Sequence, residues 1–386
     1  MTFICARRGL YAGKPRLPNP FTLLGTIDNA NYKSVVYLAT GPVTGRIYAG
    51  CGASARDTLI VIDPATRTVL GSLTDTTNLA GIDDIKLTPD ETTAFVSCEN
   101  MRRGVSSVNV TNPAAMSIRQ TLFTGSGSGP HYGYAASALE IDYTNKLLLV
   151  PTLTYASVSL VDWSAGVASM AYVAPGYRGD TAGTSLLNCR RAAAWPAKTL
   201  GFFGTDNGNT HCGAFSYATP SAPTKIWQIT NTDDPTHKFF QVRGVYLDLD
   251  TAGSERLYLC HTGASQTVLS IWDISQMPTT PTPTLLGTYQ ATGPVAAFNT
   301  PRSLLLHKSG ARTYCILTGE SGRLMLLLDV TDPTLISLFG YTSDPTALNQ
   351  CMGVVVDDSG NVWTGNFASN GQSVRGLSAW SVVWPS

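Results

Sequence analysis

Phe21-Thr-Leu-Leu-Gly-Thr-Ile27 returns near the other end of the chain as Pro283-Thr-Leu-Leu-Gly-Thr-Tyr289, with Thr-Leu-Leu-Gly-Thr shared letter for letter. The second copy closes a run of strand-sized segments, whereas the first has no such run before it. A last strand stranded at the N-terminus is what a circular array of sheets needs to seal itself, because closure removes free sheet edges.

Working outward, the chain repeats from about residue 30. Inner strands are expected at Ser34–Leu38, Asp83–Leu87, Ser137–Ile141, Arg191–Trp195, Arg243–Leu247, Arg302–Leu306 and Met352–Val356. A second strand follows each, at Arg46–Gly50, Ala94–Ser97, Leu147–Val150, Leu200–Phe203, Leu257–Cys260, Tyr314–Leu317 and Val362–Gly365. Equivalent points Gly50, Ser97, Pro151, Thr205, Cys260, Thr318 and Gly365 are spaced by 47, 54, 54, 55, 58 and 47 residues. Apolar runs of this size, separated by turn residues, are strands and not helices. The interval is that of a propeller blade. The seventh unit stops after Leu377–Trp384 without an outer strand, and Phe21–Ile27 supplies it. The expected fold is therefore all-β: a seven-bladed β-propeller of four-stranded blades over residues 20–386, preceded by an arm at 1–19.

Third strands end in a recurring corner, as in Leu59-Ile-Val-Ile-Asp-Pro64, Val108-Asn-Val-Thr-Asn-Pro113, Ile271-Trp-Asp-Ile-Ser275 and Leu328-Asp-Val-Thr-Asp-Pro333. The acid or amide can accept from the following backbone amides, and Pro presets the turn into the outer strand. Outer strands are expected at Thr68–Ser72, Ile118–Leu122, Ala168–Tyr172, Lys225–Ile229, Thr284–Thr288 and Leu335–Phe339. At these corners the chain resembles the LVIVD-repeat propellers, whose repeats run from an apolar strand through Asp and Ser/Thr-x-Pro into a Leu-Gly strand. The resemblance spans about five blades and is best in Ile271–Tyr289 and Leu328–Gly340. Blade 4 departs from it, since Phe215-Ser-Tyr-Ala-Thr-Pro220 has no Asp. What the resemblance implies is a propeller, often in a surface or extracytoplasmic setting, with no fixed reaction.

Charged residues make up 13% of the 386, and 26 basic residues balance 26 acidic ones, which argues against a general nucleic-acid binder. No apolar run is long enough to span a membrane, and Met1–Arg8 does not read as a secretory signal. Eight cysteines without a signal and without a CxxC pair read as reduced, buried small residues, not as a zinc site. The arm is basic: it carries Arg7, Arg8, Lys14 and Arg16 with no acid. It reads as a docking segment, with Phe3, Ile4, Leu10 and Tyr11 supplying burial and Arg7 and Arg8 meeting carboxylates on another chain.

Motifs for chemistry are sparse. His131, His211, His237, His261 and His307 have no ligand spacing, and most of them read as loop or blade-edge residues. Asp248-Leu-Asp-Thr-Ala-Gly-Ser-Glu255 offers alternating oxygens but sits where a hairpin turn is required. Arg178-Gly-Asp180 is short enough to arise by chance. More informative are the heads of the inner strands, where a propeller presents residues to its axis. Blades 4 to 6 place Arg191, Arg243 and Arg302 there, with Arg190 alongside and Asp83 at the blade 2 position. Three guanidinium groups form either an anion-binding sector for a carbohydrate or other anionic ligand, or a plug paired with internal acids such as Asp83 or Asp84. Such a ring suits metal poorly. The sequence thus points to a non-enzymatic interaction scaffold without a cofactor, bound to other protein chains. Its low charge and high Thr content look like a virion component, a phage capsid decoration or tail-attached adhesin, made in the cytoplasm. The alternatives are a cytoplasmic setting and a lactonase-like or quinoprotein-like propeller enzyme.

Overall fold

The computed structural model describes residues 19–27, 32, 34–51, 57–99, 103–123, 136–153, 157–177, 186, 188–206, 210–230, 239–263, 266–320, 322–367 and 376–384. They form seven antiparallel four-stranded sheets. In order from the axis outward, blade 1 consists of Leu38–Thr40, Ile47–Cys51, Thr58–Asp63 and Thr68–Thr74. Blade 2 follows with Ile82–Leu87, Thr93–Cys98, Arg103–Asn109 and Ser117–Phe123, and blade 3 with Glu140–Asp142, Leu147–Thr152, Ser157–Asp162 and Ala171–Tyr177. Blade 4 is built from Cys189–Trp195, Leu200–Thr205, Thr210–Ser216 and Thr224–Thr230, and blade 5 from Phe239–Asp248, Arg256–Gly263, Thr267–Asp273 and Thr284–Gln290. Blade 6 takes Pro301–Ser309, Arg312–Gly319, Leu324–Asp329 and Ser337–Ser343. Blade 7 takes Cys351–Val356, Val362–Asn366 and Leu377–Val382, with Phe21–Ile27 as its outer strand. No helix among the described residues is long and apolar enough to cross a membrane.

The N-terminal strand closes the ring as the duplicated stretch predicts. It pairs antiparallel with the last strand in the register Phe21↔Val382 through Ile27↔Leu377. Phe21 is buried in one apolar cluster with Trp380, Tyr314 and Leu327, so the seam is packed as well as hydrogen-bonded.

The repeated Leu-Gly has a local cause. Opposite it the ladder skips one residue, so that Leu23 and Gly25, Val69 and Gly71, and Leu285 and Gly287 face consecutive partners. Such a bulge bends the outer strand and increases its twist. The glycine then lies against the next blade's corner: a Cβ on Gly71 would collide with the Pro113 carbonyl, and one on Gly287 with the Pro333 carbonyl. The Leu-Gly strand and the Pro corner are thus two halves of one blade-to-blade contact. At the seam, Arg67 of blade 1 supplies a related contact, donating to the Leu24 carbonyl at 3.3 Å.

The corners fold as their residues dictate. Asp63 accepts from the Ala65 amide (2.9 Å), Asp162 from Ser164 (2.7 Å), Asp273 from Ser275 (2.9 Å) and Asp329 from Thr331 (3.0 Å). Two outer strands start later than predicted, at Ala171 and Ser337. Turns closed by Ser169 onto the Gly166 carbonyl and by Leu335 onto the Asp332 carbonyl consume the intervening residues. Inner strands of blades 1 and 3 are shorter than predicted. Val35 instead donates to the Asn366 carbonyl of blade 7, and Ser137 pairs irregularly with the Pro151 carbonyl. Cys51, Cys98, Cys189, Cys212, Cys260, Cys315 and Cys351 are free and buried, and burial pushes their thiols up, which keeps them protonated.

Candidate functional site: the channel mouth

The inner strands surround an axial cavity of about 1010 Å³. At its mouth the ladder between first and second strands skips a residue in five blades. The skipped residues are Asp83, Arg190, Arg243, Arg302 and Met352. The bulge frees each of them from the ladder, so its side chain can turn toward the mouth.

This register corrects the sequence reading of blade 4. Arg190, not Arg191, is the equivalent of Arg243 and Arg302. Arg191 pairs within the ladder like Asp84, Gly244, Ser303 and Gly353, one step deeper. A bulge adds one residue without altering the apolar pattern that sequence reasoning aligns, which is why the two arginines were interchanged.

Three acids that the sequence reading did not single out face these arginines. Glu99, Asp206 and Glu320 each follow the second strand directly in blades 2, 4 and 6. Their amides donate equivalently, to the carbonyls of Gly81 (2.7 Å), Asn188 (3.0 Å) and Thr300 (2.9 Å). Blade 5 has Thr262 at this place. The result is an alternating chain of charge around the mouth: Glu99, Arg190, Asp206, Arg243, Glu320, Arg302. Arg190 donates from Nε to Asp206 Oδ2 at 3.2 Å and approaches Glu99 at 3.9 Å. Arg243, whose own blade lacks the acid, bridges its neighbours, from Nε to Asp206 Oδ1 (2.7 Å) and from Nη1 to Glu320 Oε2 (3.0 Å). Arg302 ends the chain, with Nε at 2.9 Å and Nη2 at 2.7 Å from the same Glu320 oxygen. The signal was in the sequence as an acid immediately after three equivalent strands, in Cys98-Glu99, Thr205-Asp206 and Gly319-Glu320.

Electrostatics follow the burial. Burial pushes the Asp206 carboxyl up, but the hydrogen bond and charge of Arg243, with Arg190 and Arg302 behind it, outweigh this and hold it below the usual carboxylate range. Arg302 is pulled down by burial and by Arg243, against the opposing pull of Glu320.

One layer deeper, Arg191 crosses the channel. Its Nη1 donates to the Ser137 carbonyl at 3.0 Å and lies 3.4 Å from Asp84 Oδ2, and its guanidinium covers the Tyr37 ring at 3.5 Å from the centroid. Asp84 also accepts from the amides of Ile85 (2.9 Å) and Leu139 (3.1 Å). Burial nevertheless dominates Asp84 and pushes its carboxyl up to about 6, with Lys86 and the two amides pulling the other way. The Arg191 contact is longer than a charge-assisted hydrogen bond usually is, which fits that balance. Below this layer, Lys86 meets Glu140 at 3.1 Å.

Asp84 makes a pH prediction. Its folded value lies above the roughly 3.9 of an unfolded Asp, so between about pH 4 and 6 the folded chain keeps a proton that the unfolded chain has released, and stability falls as pH rises. Between pH 4 and 7 the wild type is expected to lose on the order of 2–3 kcal/mol relative to Asp84→Asn. Urea midpoints of both proteins across this range measure it. A difference of the opposite slope would mean that Arg191 outweighs burial.

Other candidates are placed as follows. Asp83 is buried at the mouth. Asp248 and Asp250 form the hairpin turn and bind Lys308 at 3.1 and 2.7 Å, as a turn reading requires. His211 and His261 lie buried in interior strands of their blades, not in loops or at edges, whereas His307 is on the inner edge strand of blade 6 and lines the channel with its ring 3.9 Å from that of Trp384. No group of three or more His, Cys, Asp or Glu among the described residues is arranged to hold a metal. Phe3, Ile4, Arg7, Arg8, Leu10, Tyr11, His131, His237 and Arg178-Gly-Asp180 lie outside the described residues.

No protein-family model matches the chain, and no curated protein matches it in sequence. Solved structures do. The β-propeller domain of Cps50 (Swd1) from Myceliophteria thermophila superposes with a TM-score of 0.64 at 10% identity, over 94% of this chain and 100% of that one. Hydrazine synthase of Kuenenia stuttgartiensis superposes with a TM-score of 0.61 at 11% identity, over 90% and 96%. The likeness is one of fold. Propellers of this geometry occur both in the Cps50 (Swd1) domain and in a hydrazine synthase, so function has to be argued from the site.

Proposed function

We propose that the protein is a non-enzymatic interaction scaffold, held in a larger assembly of other protein chains through its N-terminal arm. The observation that carries this reading is the self-neutralised mouth. The chain spends its unusual arginines on its own carboxylates, bracing blade 4 to blade 5 and blade 5 to blade 6. A preorganised ring of this kind suits a rigid platform whose contacts are made by appended segments. The finer part of the proposal is that the assembly is a virion and the propeller a capsid decoration or tail-attached adhesin with LVIVD-like corners; the low charge and the basic arm support it. A second reading, a lactonase-like or quinoprotein-like enzyme, is favoured by one observation, the roomy channel with its Lys86–Glu140 pair.

The arm decides between them. Exposed ion pairs contribute only about 0–1 kcal/mol each, so burial of Phe3 and Ile4 should dominate docking. Replacing both by Ala is expected to release a folded propeller from particles or complexes isolated with it, with at least a tenfold loss of co-sedimentation. Full retention of the double variant would sink the docking proposal.

A further inference from the structure

In the charge chain of the mouth the acids are held unequally. Asp206 is buried, with a side chain only 6% exposed, and uses both oxygens, one for each of Arg190 and Arg243. Glu320 is 35% exposed, and the three contacts described above fall on its Oε2 alone. Arg243 and Arg302 are themselves about one tenth exposed and anchored on rigid inner strands. Arg302 also lines the channel cavity. On its far side stands blade 7, which puts Met352 at the equivalent bulge and Phe367 after its second strand, so the alternation stops there.

We infer that Arg243 and Arg302 form a carboxylate-recognition site whose resting occupant is the chain's own Glu320. The two guanidinium groups come from adjacent blades and converge on a single point, a geometry that suits one planar anion. The neighbouring acid Asp206 already satisfies Arg243 Nε, so the position Glu320 fills can change hands while Arg243 keeps a buried counter-ion. Exchange of Glu320 for an incoming carboxylate leaves the arginine pair with one counter-charge while Glu320 swings into solvent, and a partly exposed side chain gives up its place at lower cost than a buried one. Glu320 thereby keeps the site neutral when no ligand is present and sets a threshold that a ligand has to exceed. The ligand is a carboxylate, either the acidic side chain of a peptide or a small diffusible acid. The inference depends on the mouth alone and stands or falls independently of the arm.

The test removes the resting occupant. Glu320→Ala is expected to bind an N-acetylated, C-amidated Gly-Glu-Gly peptide, or succinate, at least tenfold more tightly than wild type by calorimetry, and Glu320→Ala combined with Arg302→Ala is expected to lose that gain. The peptide outbinding succinate identifies a presented side chain as the source, and the reverse identifies a small acid. Should Glu320→Ala be too unstable for calorimetry, its melting temperature is read in acetate and in chloride at equal ionic strength. A saturable rise specific to acetate supports the site. Equal rises in both salts, or unchanged affinity in a folded Glu320→Ala protein, would overturn it.

Discussion

Deleting residues 1–28 is expected to abolish cooperative unfolding and leave a protein that aggregates well below the melting temperature of the full chain. The strand Phe21–Ile27 supplies the outer ladder of blade 7 and buries Phe21 at 3% exposure among Trp380, Tyr314 and Leu327. Truncating a single buried Phe to Ala costs about 3–5 kcal/mol, and the deletion adds the loss of a full strand pairing. It also uncovers the edge of Leu377–Val382, whose unpaired backbone groups and buried Leu377, Ala379 and Trp380 could recruit another chain. Calorimetry with light scattering measures both effects. Phe21→Ala serves as the graded control, expected to lower stability by the smaller amount while leaving the ring closed and the protein unaggregated. A deleted protein that melts as sharply and as hot as the full chain would show that the ring does not need its N-terminal strand.

The second large effect is expected from Asp206. Asp206→Ala leaves Arg190 without its closest acid and the largely buried Arg243 with Glu320 alone. Removing one partner of a buried pair typically costs about 3–5 kcal/mol, because the remaining charge stays desolvated. Glu99→Ala is the contrast: its contact with Arg190 is 3.9 Å long and its side chain is 28% exposed, so the expected cost is below about 1 kcal/mol. The ordering of the two variants in urea denaturation is the measurement, and equal costs would contradict the braced mouth. Acid adds a second readout. Because the Asp206 carboxyl is held below its unfolded value, its contribution is fully present above about pH 4 and disappears as pH falls through the folded value. The gap between wild type and Asp206→Ala should therefore narrow in acid, opposite in direction to the change expected for Asp84.

The same mouth makes the arginines serve two ends. Asp206 and Arg243 act as a buried brace, with Arg190 joined to it through Asp206. Glu320 is the more exposed acid at its other end, held against Arg243 and Arg302, and there exchange with a ligand carboxylate costs least. A rigid scaffold with one adjustable contact point is compatible with docking through a separate arm, since the two surfaces need not share residues.

The sequence by itself determined the number of blades, the seam and the corners. Seven returns of a strand-sized apolar pattern, an orphan copy of Thr-Leu-Leu-Gly-Thr, and Asp or Asn before Pro are local signals. Strand burial, ring closure and side-chain-to-amide turns act on neighbouring residues or on a fixed repeat. Only the tertiary structure decided which arginine of the Arg190-Arg191 pair faces the mouth, because a bulge inserts one residue without disturbing the apolar alternation. It likewise decided that Glu99, Asp206 and Glu320 are the counter-charges. These acids lie 91, 16 and 18 positions from Arg190, Arg190 and Arg302, and Arg243 reaches acids 37 positions before it and 77 after it. The acids recur at one place in the repeat, but which arginine each of them meets is set by the bulges and by the packing of neighbouring blades. Apolar burial is written into every strand as a pattern, whereas an ion pair between blades is written only as two isolated letters, and their meeting is fixed by the fold.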